Sequence, residues 1–293
     1  MPRVRMFCDW DNTSEELIDR LKAQTAGMHG NSLAGYDFVA DDNYDHAVLF
    51  NYPTAPVYTE AKKNIGLVLE PPEISSWMHP ESVRNHAKLL ASRYYSFAKE
   101  KGLNWAPGLG FATVPHNYQY SKPSDKSNKA CMIVSNKLMT DFHAKRQQVF
   151  HELLESDLSI DFYGRGMAQS DDPRVKGEIA PMAKAYILSS YSFCIDFENS
   201  PHGALTDKFF DPIICGTVPI TNATMLRRHG IKGSYELVDF KLTNSNIKTK
   251  IASILENDIT QYDGPVAKAR SELMLGSWCL ARWITNRLDE CVH

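Results

Sequence analysis

The sequence predicts an α/β chain of two domains, each a largely parallel sheet covered by helices, and three observations carry that prediction. The chain has 293 residues, more than one small core organises and suited to two domains of roughly 100–150 residues each. Short apolar runs rich in β-branched and aromatic residues alternate with longer helix-like stretches, the rhythm of strands joined by crossover helices. Between residues 104 and 129 that periodicity stops and Pro, Ser, Asn, Tyr and Lys take over, as in a connection between domains. The boundary is therefore expected near residue 125, giving domains 1–125 and 126–293.

In the first domain, strands are expected at 4–8, 47–50 and 65–69, with helices at 14–25 and 80–101. In the second, strands at 131–135, 159–163, 193–197 and 218–221 alternate with helices at 141–155 and 181–190 and a helix starting at 206. The closing segment opens with Asp263, Gly264 and Pro265, a cap and an early-helix proline, and sets Leu273, Leu280, Ala281, Ile284 and Leu288 on one apolar stripe.

Composition narrows the function classes. Hydrophobic residues make up 43% and charged residues 23% of the chain, with a mean hydropathy of -0.35, as in ordinary globular proteins. The 32 basic and 35 acidic residues are interspersed, leaving a net charge of -3 and no block of one sign suited to gripping nucleic acid or an anionic membrane. No apolar run has the roughly 18–20 residues of a membrane span, and the start shows no signal-peptide core, so a soluble cytoplasmic protein is expected. Six scattered cysteines without a CxxC pair read as reduced core thiols rather than a disulfide frame or zinc site.

Three clusters are candidates for chemistry. The first strand runs into Asp9, Trp10, Asp11, Asn12 and Thr13. As DxDxT, this is the nucleophile loop of a haloacid-dehalogenase-like phosphatase, with Asp9 attacking phosphorus and Asp11 serving as acid and base around Mg²⁺. As DxD, it is a metal–nucleotide clamp. As plain structure, one of residues 11–14 caps the helix beginning near Glu15. The second cluster is Gly164, Arg165 and Gly166 after a strand, with Gly108 and Gly110 earlier; such turns cradle phosphate or merely turn the chain.

The third cluster says most. A buried strand ending Ile195, Asp196, Phe197, Glu198, Asn199 is followed by a Gly-containing loop and a helix that opens Thr206, Asp207, Lys208. Open α/β sheets bind ligands at such strand ends. A lysine in the first turn of a helix opposes the macrodipole, and a diphosphate between the two would reconcile them.

The run FENSPHGALTDKFFDPIICGTVPI resembles the donor-binding signature of glycosyltransferase family 10, the α-1,3/1,4-fucosyltransferases: FENS, a short loop, TEK, a helix and GTVP. IDFYGRG at 160–166 resembles the family's strand and turn, and LVLEPPE at 67–73 its N-terminal E-[SN]-P element. The resemblance implies a GT-B fold of two Rossmann-like domains facing a cleft, with a C-terminal helix packing across them. Residues 1–125 would bind the acceptor and 126–293 the nucleotide sugar. It further implies inverting transfer without a metal or other cofactor, from a nucleotide-sugar donor to a hydroxyl of an oligosaccharide or glycoconjugate.

Carried over residue by residue, the resemblance makes Glu70 the general base and Arg146 the diphosphate-binding arginine, with neighbouring Lys145 as rival. Asn199 and Lys208 match polar donor contacts, Asp207 takes the place of a ribose-binding glutamate, and Gly164, Arg165, Glu198 and Thr206 complete the donor set. Against the family pattern the loop between Asn199 and Thr206 is one residue shorter, and Ala204–Leu205 replaces an aspartate–tyrosine pair. GDP-fucose is the donor by resemblance, and a UDP-sugar such as UDP-xylose is the variant that the altered loop admits. The phosphatase centred on Asp9 and Asp11 and a non-catalytic glycan-binding module are the alternatives from other classes.

Overall fold

The computed structural model describes residues 1–10, 12–97, 103–106, 109–166, 170–200, 205–228 and 232–292. They divide into unit 1, residues 1–117 and 272–293, and unit 2, residues 118–271. Asp11, Gly108 and the loop 201–204 lie outside the described residues.

Unit 1 opens with β1 (Arg3–Phe7), whose apolar side chains bury both faces, as a central parallel strand requires. The chain then enters α1 (Ser14–Gln24), closed by a capping box in which the Thr13 side chain accepts from Glu16 N and the Glu16 carboxylate accepts from Thr13 N. A hairpin of β2 (Ser32–Leu33) and β3 (Tyr36–Val39) turns at Gly35, whose φ of 86° suits only glycine. β4 (His46–Phe50), β5 (Ile65–Val68), α2 (Pro72–Met78), α3 (Glu81–Leu89), β6 (Arg93–Ser96) and β7 (Asn104–Trp105) follow. The sheet order is β2-β3-β1-β4-β5-β6-β7, parallel except for the hairpin.

Two expectations change here. The helix expected over 80–101 stops at Leu89, because Tyr94 and Tyr95, 4% and 5% exposed, are taken into the sheet as β6. Aromatic residues fit a half-buried pleated surface well, and tertiary packing overrides a weak helical pattern. The small strands β2, β3 and β7 carried too little apolar periodicity to be read in advance.

Unit 2 contains β8 (Asn128–Ile133), α4 (Asp141–Leu154), β9 (Ile160–Tyr163), β10 (Val175–Gly177), α5 (Lys184–Ser190), β11 (Tyr191–Ile195), α6 (Asp207–Ile214), β12 (Val218–Thr221), β13 (Glu236–Leu237) and α7 (Asn244–Leu255). Its sheet is wholly parallel in the order β10-β9-β8-β11-β12-β13. The chain runs outward from β8 through β9 to β10 and then returns to place β11 on β8's other side, so the switch point lies between β8 and β11. That geometry opens a crevice at their carboxyl ends.

Two close approaches fix the unit. Gly164, at φ 155°, comes so near β8 that a Cβ would lie 1.4 Å from the Val134 carbonyl oxygen. Gly216, at φ 72°, sits against Ser121, where a Cβ would fall 1.9 Å from its carbonyl oxygen. Beside Gly216 the Lys126 ammonium is buried, donating to the carbonyls of Leu188 and Cys215 at 3.2 and 2.9 Å and to Thr217 Oγ1 at 2.6 Å. Burial pushes this lysine down to about 8 despite those acceptors. The Gly-Thr of the GTVP run thus locks the incoming chain to α6.

The closing segment is two helices rather than one: α8 (Asp263–Leu275) and α9 (Leu280–Val292). From Glu272 onward the chain belongs to unit 1. There α9 packs Trp283 edge-on against Tyr95 at 5.1 Å, pairs Glu290 with Arg93 at 2.5 Å and accepts the Tyr36 hydroxyl on Asp289 at 2.8 Å. The expected division at 125, with the terminal helix in the second domain, therefore gives way to one in which the chain returns to its N-terminal unit. The apolar stripe was real, and sequence could not say which sheet it would cover.

Replacing Gly164 by Ala puts a methyl into the Val134 carbonyl and holds an L residue in a glycine-only conformation. Such strain costs about 1–3 kcal/mol before the clash is added. Thermal unfolding is expected to show a Tm lower by about 4 °C or more for a domain of this size, and a Tm within 1 °C of wild type contradicts the close approach.

Candidate functional site

Ile133, Val134 and Ser135 at the end of β8 and Asp196 after β11 line a cavity of about 290 Å³ with Arg146 from α4, Gly164, Arg165 and Glu178 from the loops after β9 and β10, and Lys184, Asp207 and Lys208 from the starts of α5 and α6. It lies at unit 2's switch point. A larger cavity of about 440 Å³ shares Val134, Ser135 and Arg165 with it and is also lined by Phe150, Leu154, Val175, Asn136, Gln147 and His151.

The position of each charged group follows from its element. Arg146, 3% exposed, projects from α4 across β8, donating to Ser135 Oγ at 3.1 Å and to the Phe197 carbonyl at 3.3 Å. Its Nε is buried and has no hydrogen-bond partner among the described residues. Burial lowers its pKa, opposed by Asp196, Glu198 and Asp207. The adjacent Lys145 turns the other way, to the Leu242 carbonyl at 3.2 Å and Asn244 Oδ1 at 2.5 Å. Of the two rivals, only Arg146 faces the cavity.

α6 begins at the N-cap Thr206, whose hydroxyl accepts from Lys208 N at 3.3 Å and donates to Glu198. Glu198 is 1% exposed and takes Thr206 N at 3.2 Å and Thr206 Oγ1 at 2.9 Å. Its main chain is clamped by Asn222, which accepts from Glu198 N at 2.7 Å and donates to its carbonyl at 3.2 Å. Burial raises the Glu198 pKa, with Lys208 pulling the other way. Glu198 is thus a buried anchor for the helix start. Asn199, half-buried, receives the Thr140 hydroxyl on its carbonyl at 3.0 Å.

Lys208 Nζ sits 3.7 Å from Glu198 Oε2, 3.9 Å from Asp207 Oδ1 and 3.3 Å from Thr206 Oγ1. Burial pulls its pKa down, and Glu198, Asp207 and Asp196 outweigh it and raise it. The lysine that opposed the macrodipole is therefore balanced first by protein carboxylates, at distances long for direct pairs. Asp207, expected to meet a ribose, accepts Lys184 Nζ on Oδ2 at 2.7 Å. Burial alone would raise its pKa, and Lys184 and Lys208 reverse that and lower it. Arg165 is largely exposed, 3.6 Å from Glu178. Gly164 supplies the close approach described above.

Sequence reasoning missed two lining members, Lys184 and Asp196, and the buried His143 close to Arg146 and Lys208. Lys184 bridges Asp207 and the fully buried Asp211, each at 2.7 Å, and its pKa is raised by those carboxylates despite burial. His143, 2% exposed, bonds Thr140 Oγ1 at 2.8 Å and is pushed down to about 4 by burial, Arg146, Lys208 and Lys137, so it is neutral at pH 7. Asp196, 4% exposed, is pushed up to about 7 by burial, against Lys208, Lys184 and Arg146. Asp196 stood in the third cluster, between Ile195 and Phe197 at the end of a buried strand, a legible sign of an unusual carboxyl. Lys184 and His143 stood in ordinary helical contexts.

Glu70 belongs to unit 1. It follows β5, half-buried, with its N–H donated to Asn51 Oδ1 at 3.2 Å and its carbonyl accepting Ser75 Oγ at 3.3 Å. Asp9 is buried and paired within the same unit, while Asp11, the second carboxylate of the phosphatase reading, is not described. The cap expected among residues 11–14 is Thr13. Among the described residues no helix is long and apolar enough to cross a membrane.

With Asp196 protonated, Arg146, Lys184 and Lys208 balance Glu198, Asp207 and Asp211; with Asp196 ionised, the site carries one more anion. A diphosphate should accordingly bind best below pH 7 and more weakly as pH rises through about 7. Calorimetry with GDP and UDP from pH 6 to 8 is expected to show this weakening over and above that of Asp196→Asn. Identical profiles for the two proteins contradict it. Folding has the same sign: the raised carboxyl stabilises the fold at low pH, and its contribution is lost as pH climbs from about 4 towards about 7.

Residues 123–254 match the family model described as Glycosyltransferase family 10 (fucosyltransferase) C-term. No curated protein sequence matches the chain. Among solved structures, an alpha-glucosyltransferase in complex with UDP and a 13-mer DNA containing a HMU base is similar over 100% of both chains, at 13% identity and a TM-score of 0.61. An alpha-glucosyltransferase (AGT) in complex with UDP is similar over 100% of both chains, at 13% identity and a TM-score of 0.57. An alpha1,3-fucosyltransferase is 13% identical over 90% of this chain and 82% of its own, at a TM-score of 0.48. At such identities the glucosyltransferase likeness is one of fold: GT-B, built of Rossmann-like α/β units.

Proposed function

Starting from a chain that carries the C-terminal domain of glycosyltransferase family 10 at residues 123–254, we propose that it transfers a sugar with inversion, and without a metal, from a nucleotide-sugar donor to a glycan hydroxyl. The observation that carries this reading is the convergence of Arg146, Lys208 and the N-terminus of α6 on one small cavity at the switch point. A leaving diphosphate needs positive charge that is already in place when the bond breaks. A helix N-terminus carries partial positive charge, Arg146 offers an Nε without a hydrogen-bond partner among the described residues, and Lys208 Nζ lies 3.7 and 3.9 Å from the carboxylates of Glu198 and Asp207, distances long for direct pairs.

The smaller cavity fits the diphosphate, and the larger one, with Phe150 and Val175 as apolar walls and Asn136 as an amide, fits the nucleoside. GDP-fucose is the donor the resemblance favours. The tie between Asp207 and Lys184 leaves that carboxylate less available to a ribose and keeps UDP-sugars in play. Two of the solved structures of the same fold hold UDP, one of them beside DNA. For this chain a neutral glycan acceptor agrees better with a net charge of -3 and no basic block.

Lys208→Ala is expected to raise the Kd for GDP or UDP by about 10- to 100-fold, since a charge-assisted contact contributes about 1.5–3 kcal/mol. Lys145→Ala, on the side away from the cavity, should leave it unchanged, and EDTA should abolish neither binding nor turnover. Equal affinities for Lys208→Ala and wild type contradict the assignment, as does turnover that vanishes with chelator and returns only with Mg²⁺ or Mn²⁺.

A further inference from the structure

Ser135 lines both cavities of unit 2 and is gripped by two consecutive residues of α4. Arg146 donates to its hydroxyl at 3.1 Å, and Gln147 Nε2 donates to its carbonyl. A side-chain amide is ambiguous while it is free to turn over, since turning exchanges its acceptor end for its donor end. Here a main-chain carbonyl, which can only accept, takes the nitrogen, so the amide is fixed with Oε1 as its other end. Gln147 is half-buried and lines the cavity of about 440 Å³. Among the described residues no N–H or O–H group donates to its Oε1.

The neighbouring polar groups set no direction in this way. The Asn136 amide lies against Gly166, where a Cβ would fall 2.2 Å from Asn136 Nδ2, and among the described residues no hydrogen bond chooses between its two ends. Arg165 can only donate and is largely exposed. No Asp or Glu lines the cavity among the described residues. A base seated beside the buried Phe150 thus meets in Gln147 Oε1 an acceptor whose direction the fold has already set.

We infer that Gln147 reads the base of the donor by accepting the ring N–H of its Watson–Crick edge, admitting uracil and guanine and rejecting cytosine and adenine; the inference rests on the donor-site reading above. Uracil carries that hydrogen on N3 and guanine on N1. Cytosine N3 and adenine N1 carry none, so each sets a lone pair against Oε1, and their exocyclic amines reach it only if the base slides along its edge. Reading an unpaired base by hydrogen bonds to this edge and packing on its face is a general device. A site built around such a hydrogen bond rejects the analogue that lacks it more strongly than shape alone does, because the site's own polar group is left unpaired. Since Arg146 and Gln147 hold the same Ser135, α4 carries the diphosphate contact and the base contact on adjacent residues.

The test is calorimetry of the full chain with UDP, GDP, CDP and ADP, as wild type, Gln147→Leu and Lys208→Ala. Wild type should bind UDP or GDP about 10-fold or more tightly than CDP and ADP, a comparison that needs no variant to fold. The tighter of the first two identifies the base. Gln147→Leu keeps a good helix former and removes both ends of the amide. It should weaken the preferred nucleotide while leaving CDP and ADP as they were, so that the preference collapses. Lys208→Ala should weaken all four by a common factor, because all present the same diphosphate. A wild type that binds CDP or ADP as tightly as both UDP and GDP overturns the inference. So does a Gln147→Leu that weakens all four alike, as a displaced α4 would. A wild type that binds none of the four, or a Lys208→Ala that binds all four as wild type does, overturns the donor-site reading and the inference with it.

Discussion

The proposed donor site depends on one constraint: β11 carries Asp196 and Glu198 into the interior, and buried carboxylates must be answered by buried cations or by protons. The fold supplies both answers. Arg146 and Lys208 come from the helices on either side of the switch point, Lys184 is drawn in by Asp207 and Asp211, and Asp196 keeps its proton to about pH 7. Removing any one cation leaves an uncompensated charge in a low-dielectric setting, so the cluster stands or falls together. A cavity surrounded by such prearranged charge suits a diphosphate, whose charge changes as the glycosidic bond breaks.

The signature at 197–220 divides into two halves with different work. Glu198 and Thr206 set the start of α6, and Lys208 projects into the cavity. Gly216 and Thr217 face away from it and hold Ser121 and the buried Lys126 against α6. A motif recognised as one string is thus part cavity wall and part architecture. Losing the second half would be expected to unfold the unit before it changed any affinity.

Parallel strands were legible because their residues are apolar on both faces: the expected runs at 47–50, 65–69 and 218–221 match β4, β5 and β12 to within one residue. The helix start at Thr206 and the cap expected among residues 11–14 followed from the same hydrogen-bond rules that the structure obeys. What escaped were groups whose roles arise only in three dimensions. Lys184 meets Asp207 across 23 residues and Asp9 meets His79 across 70, separations at which no local spacing carries information. The strand at Arg93–Ser96 and the return of α9 to unit 1 escaped for the same reason, since sheet neighbours rather than local pattern decide them.

The most direct measurement of the central claim is a crystal structure of the chain grown with GDP or UDP and no divalent cation. The charge arrangement in unit 2 predicts the β-phosphate within hydrogen-bond distance of the Arg146 guanidinium, of Lys208 Nζ and of the first N–H groups of α6, with the nucleoside against Phe150. A nucleotide seated elsewhere, or one that leaves the Arg146 and Lys208 contacts as they are here, would contradict the assignment of this cavity as the donor site.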